Sequence, residues 1–159
     1  MKFRTSGGYV SAVHHNKQTG QRTYSAHLKK NLLTNNGRDL FHQQCYTNTA
    51  NGTRGAGYVA LTTSTASPAA GDTALGGTEL AASGFTRADA TTKTHSNGTN
   101  STTIEHTFTA SGTVNLIHKS ATANNAGTGV IIGHLAAFGT DASLISGDTL
   151  KVTWTLNLG

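Results

Sequence analysis

A chain of 159 residues with one cysteine, Cys45, can bury about 70% of its unfolded surface in a single domain, and does so without an internal disulfide. Charged residues make up only 12% of it, about half the usual ~25%, and Thr, Ser, Asn, Gln and Gly replace them on the surface. No apolar run approaches the ~18 residues of a membrane-spanning helix, and the positive charge is lopsided: eight of the twelve Lys/Arg lie at or before Arg54, against Asp39 alone. A surface so poor in charge carries little long-range repulsion and suits close packing against neighbouring subunits. The N-terminus, Met1-Lys2-Phe3-Arg4-Thr5, has no apolar stretch of the signal-peptide kind, so synthesis in a cytoplasm is expected.

Residues 1–7 read as an arm that needs a neighbour to order it. In the strand that follows, Tyr9, Ser11, Val13 and His15 share one face, and Val10, Ala12 and His14 the other. Asn16 to Gln21 is a turn, with Gly20 supplying the permissive backbone. Arg22 to Leu33 runs back as a second strand. Residues 1–30 therefore form an arm and a basic β-hairpin, and 31–159 a single β-sandwich domain. That domain opens with the turn Thr34-Asn35-Asn36-Gly37 and a short helix near 38–46, capped by Asn36 and striped by Leu40, Phe41 and Cys45. Cys45 reads as a buried small hydrophobe.

Tyr58 to Leu61 shows no clean alternation, which predicts a strand covered on both faces. Pro68 and Asp72 mark a loop, with Asp72 as a turn or capping residue. Gly76-Gly77 and Ser83-Gly84 punctuate a link into a strand over Phe85–Thr94. Ser96-Asn97-Gly98-Thr99 predicts a hairpin turn. In the next strand Ile104, His106, Phe108 and Ala110 share one face, and Thr103, Glu105, Thr107 and Thr109 the other. Strands over Val114–Ala123 and Val130–Phe138 follow, with Gly133 marking a bulge or close approach. The last strand has the clearest pattern: Leu150, Val152, Trp154, Leu156 and Leu158 point one way, and Lys151, Thr153, Thr155 and Asn157 the other. About eight strands at this spacing predict a mainly β fold, an antiparallel two-sheet sandwich of jelly-roll-like kind.

Little here points to catalysis. His14 and His15 are adjacent in a strand and face opposite ways. His106, His118 and His134 fall on successive strands, but no H-x-H, HExxH or C-x-x-C spacing accompanies them, so no metal and no cofactor is expected. No G-x-S-x-G elbow appears, and Cys45 lacks a Cys/His protease setting; no enzyme is expected. Lys17, Arg22, Lys29 and Lys30 with Tyr9 and Tyr24 offer charge and aromatics, yet no nucleic-acid motif, and nucleic acid is not the expected partner. Residues 1–30 carry Lys2, Arg4, Lys17, Arg22, Lys29 and Lys30 with no Asp or Glu. These six are the expected partner contacts, facing carboxylates of another protein.

The order of features resembles small virion proteins of tailed bacteriophages. The matching run is a basic hairpin, then Asn31-Leu32-Leu33-Thr34-Asn35-Asn36-Gly37, a brief helix, and Gly57-Tyr58-Val59-Ala60-Leu61-Thr62-Thr63. It continues through Gly71-Asp72-Thr73-Ala74-Leu75 with Glu79 and Arg87 behind, and ends in Gly147-Asp148-Thr149-Leu150-Lys151-Val152-Thr153-Trp154-Thr155-Leu156. It covers most of residues 31–156. One departure is Thr62-Thr63-Ser64-Thr65, where such proteins often carry a Gly-Thr-Gly-like loop. The resemblance implies a structural role in the virion without catalytic residues. The first expectation is a capsid decoration or cement protein, trimeric, bound to the major capsid protein. The second is a tail, neck or fibre-associated protein. A carbohydrate- or host-surface-binding β-module is a third expectation, against which the single Trp, on a core face, speaks.

Overall fold

The computed structural model of the chain describes residues 9–30, 32–34, 57–75, 79–95, 101–123 and 132–157. The expected arm, the helix near 38–46, Cys45, the turns at 96–99 and 124–127, and Leu158 lie outside them. The described residues hold ten strands and no helix: β1 (Tyr9–His15), β2 (Arg22–Lys30), β3 (Leu32–Leu33), β4 (Tyr58–Thr62), β5 (Ala88–Asp89), β6 (Thr92–His95), β7 (Ser101–Thr109), β8 (Val114–Ala123), β9 (Ile132–Leu144) and β10 (Thr149–Asn157). They form two five-stranded sheets, ordered β2-β1-β10-β7-β6 and β3-β9-β8-β4-β5, and the strand pairs are antiparallel.

The alternation along β10 decides how the sheets face each other. Leu150, Val152 and Trp154 are fully buried and Leu156 nearly so. They join Val10 of β1 and Ile104 and Phe108 of β7 in one core with Val59 and Leu61 of β4, Ile117 of β8 and Phe138 and Leu144 of β9. Trp154 sits in the middle and donates its indole N–H across the gap to Ser120 Oγ of β8 at 3.1 Å. Burying these side chains contributes about 1.5–3 kcal/mol each and fixes the register, because a one-residue slip would turn every one of them to solvent.

The second sheet is covered on its far side as well. Ala60, Leu75, Ala121 and Leu135 form a smaller apolar cluster there. This explains the absence of alternation in β4: Val59 and Leu61 face the other sheet, while Ala60 faces this second cluster. The roof is the loop after β4. Leu80 N–H bonds back to the Leu61 carbonyl at 2.9 Å, and Thr62 bridges Glu79. Buried Lys119 of β8 donates to Ser64 Oγ at 3.2 Å and to the Ala66 carbonyl. Asp72 accepts the Ala69 N–H at 2.8 Å, the turn role expected for it.

Both sheets end in strands that change sides. The predicted strand Arg22–Leu33 divides: β2 edges the first sheet and β3, two residues on, edges the second. The predicted strand Phe85–Thr94 divides likewise. Phe85 is a buried loop residue stacked on Phe108, and only β5 and β6 are extended, one in each sheet. Gly84 lets the loop in: its φ is +84°, and a Cβ there would lie 2.0 Å from the Thr109 carbonyl oxygen. Corners of this kind carry the chain from one sheet of a sandwich to the other.

Gly133 is the extra residue of a bulge, unmatched between the pairs Thr122↔His134 and Ala123↔Ile132. The strand it belongs to runs to Leu144, past the expected end at Phe138. A wider irregularity between Ala137 and Ala142 breaks its alternation and hides its second half.

Candidate functional site

The outer face of the first sheet is where chemistry-bearing side chains gather in the open. Register carries them into rows across the strands. Arg22, His15, Thr149 and Thr109 form one row, and Tyr24, Val13, Lys151 and Thr107 the next. A third holds Ser11, Thr153, Glu105 and Thr92. Between them lies a shallow groove of about 360 Å³, walled at one end by Arg22 and Tyr24 and floored by Val13, Thr107, Lys151 and Thr153.

The groove is unevenly charged. Lys151 Nζ lies 2.9 Å from Glu105 Oε2, which also accepts the Thr153 hydroxyl at 2.9 Å. Glu105, just outside the lining, is thus answered twice. Arg22, exposed at one end of the groove, has no ion pair among the described residues. Tyr24, beside it, is 56% exposed, and Tyr9 of the same face 45%.

Of the six expected partner contacts, the four within the described residues do not form one patch. Arg22 lines the groove. Lys17 lies in the β1–β2 turn at the same end, exposed, with its side chain beside Gly147. Lys29 and Lys30 pair with Val10 and Tyr9 at the far end of β2, about 23 Å along at 3.3 Å per residue. Lys2 and Arg4 lie outside the described residues. His15, Lys151, Glu105 and the threonines of the groove were absent from the expected contacts. Strand alternation had put them on outward faces, but nothing local says that β1 neighbours β10 and β10 neighbours β7.

The histidines go separate ways. His14 turns inward from His15 and donates from Nε2 to Asp148 Oδ2 at 2.8 Å. Asp148 is buried, and its carboxylate also accepts the amides of Lys17 at 3.1 Å and Ile145 at 3.2 Å. Burial pushes its pKa up, but the Ile145 amide, His14 and the Lys17 amide outweigh that and hold it below the ordinary value. The carboxylate thereby ties the β1–β2 turn to the β9–β10 turn. His106 packs edge-on against Phe108, His118 pairs with Asp141 near the surface, and His134 is buried beside Trp154 and Thr122. Burial lowers the pKa of His134 to about 4 and keeps it neutral. Among the described residues no group of three or more His, Cys, Asp or Glu is placed to hold a metal ion.

Compared with protein-family models, with curated proteins and with solved structures, the chain matches none.

Proposed function

We propose that this chain is a non-enzymatic structural protein of a bacteriophage virion, a decoration protein bound to the capsid that cements the shell. The observation that carries it is the contrast between the two sheets. The second is covered on both faces, by the first sheet and by its own loop. The first has one broad, Thr-rich face that no other described residues cover, with a shallow groove and an exposed arginine. Short hydroxyl side chains in cross-strand rows make a flat surface of low side-chain entropy, suited to lying against another protein.

The residues behind the phage resemblance are consistent with this reading. Glu79 and Arg87 are joined in one buried ion pair, and Asp148 stitches the turn that launches β10. On the same reading the sandwich is jelly-roll-like, the protein is made in the host cytoplasm and resides in the virion, and three copies assemble around a capsid axis with the major capsid protein beneath. A tail, neck or fibre position is the alternative, since the same run of residues fits those proteins. Quantitative mass spectrometry of purified virions separates the two. Hundreds of copies per particle mean decoration, a dozen or fewer mean neck or fibre, and absence from the particle overturns both.

A further inference from the structure

We infer that the groove on the outer face of the first sheet takes a short extended acidic segment of a partner protein, with a carboxylate seated between Arg22 and His15. The inference rests on the proposed virion role for the identity of that partner, the shell protein, but the chemistry of the groove is argued separately.

Size comes first. Four strands, β2, β1, β10 and β7, contribute to the groove, and at about 4.8 Å between neighbours they span roughly 14 Å, the reach of about four extended residues. Charge comes next. No carboxylate lines the groove among the described residues; Glu105, beside it in register with Thr153, already has Lys151 and the Thr153 hydroxyl. Arg22 has no carboxylate partner among the described residues, and its cross-strand neighbour His15 adds a ring N–H donor at the same end. A planar guanidinium with no ion-pair partner among the described residues, beside a ring donor, is matched by a carboxylate, which it can bind through two parallel hydrogen bonds. Thr107, Thr149 and Thr153 then offer hydroxyls to the backbone of the segment.

Other occupants fit less well. A phosphodiester strand needs a run of cations, and here the lining offers Arg22 and Lys151, of which Lys151 is already engaged by Glu105. A glycan needs aromatic platforms, and one ring, Tyr24, lines the groove while Trp154 is buried in the core.

The test titrates ¹⁵N-labelled protein with an octapeptide of alternating Glu and Thr. A Gln–Thr octapeptide, an oligothymidylate and a chitooligosaccharide are run beside it. The acidic peptide should shift the amides of Ser11, Val13, Thr107 and Thr153. Arg22→Gln, an exposed substitution that leaves the core intact, should weaken it about tenfold, as should added salt. Equal binding by Arg22→Gln, silent groove amides, or preference for the oligothymidylate or the oligosaccharide overturns the inference. A second arm sediments Arg22→Glu with particles lacking this protein. Loss of binding supports the groove as the docking site. Undiminished binding of Arg22→Glu removes the groove from that role while the virion reading stands. If wild-type protein fails to bind the particles although the acidic peptide shifts the groove, the virion reading fails and the groove chemistry holds.

Discussion

Arg87 holds Glu79 with two parallel hydrogen bonds, Nε to Oε1 at 2.7 Å and Nη2 to Oε2 at 2.5 Å, and the two side chains are 0% and 5% exposed. The pair closes the loop that roofs the second sheet. Glu79 bridges Thr62 at the end of β4, and Arg87 stands immediately before β5. Removing one partner strands the other charge in a dry site, at about 3–5 kcal/mol, whereas replacing both by apolar groups of similar volume is nearly neutral. Arg87→Met should therefore lower stability by about 3–5 kcal/mol in urea denaturation, and Glu79→Leu/Arg87→Met should recover most of it. If the double variant is no better than the single, the pair is not acting as a unit.

Trp154 is the largest fully buried side chain among the described residues, and it links the sheets through Ser120. Trp154→Ala should destabilise by about 3–5 kcal/mol, the range for emptying a large aromatic site. Trp154→Phe should do so by less, leaving a smaller cavity and Ser120 without its donor. A loss under about 1 kcal/mol for Trp154→Ala would mean that the sheets do not meet on this residue.

Stability should fall with pH in two neighbouring windows. His134 is neutral in the folded state down to about 4, against 6.5 in the unfolded chain. Between those values the unfolded state binds the extra proton, so stability is full above 6.5 and is lost as pH falls toward 4. At 1.36 kcal/mol per unit the loss is roughly 3 kcal/mol. Asp148 acts below that. Its folded pKa is held under the ordinary 3.8, so its contribution is complete above 3.8 and is lost as pH falls through the lower folded value. Denaturation midpoints from pH 7.5 to 4 should show a shallower slope for His134→Gln than for the wild type. Parallel slopes would contradict a neutral buried His134.

Much of this fold was legible as alternation. β1, β7 and β10 present the faces their sequences predict, and the uniformly apolar β4 is covered on both sides because two apolar clusters flank it. Gly133 does mark a bulge. What was not legible depends on long-range pairing. Nothing near Lys30 signals that the strand leaves one sheet for the other. The break in β9 beyond Ala137 scrambles its period, so the strand reads as ended. The groove was illegible for the same reason. Val13 and Arg22 belong to one hairpin, but Lys151 and Thr107 lie far from it in sequence and meet it only because β1 neighbours β10 and β10 neighbours β7.

The basic hairpin should matter to attachment more than to folding. Surface pairs contribute about 0–1 kcal/mol each, so a single copy should bind weakly, and in the proposed trimer three such contacts would add through effective concentration. Deleting residues 1–7, or reversing Lys29 and Lys30 to Glu, should leave the denaturation midpoint within about 0.5 kcal/mol of wild type. Both changes should weaken cosedimentation with particles, most visibly at low salt. Binding equal to wild type in both variants would leave attachment to the Thr-rich face and its groove alone.

The central claim, that this protein cements a shell, is tested most directly by the temperature at which particles release their DNA. Particles made without the protein should release it at lower temperature than complete ones. Adding purified protein should raise the midpoint until the sites are filled and then no further. A midpoint that does not move, with the protein left in the supernatant, would contradict the claim.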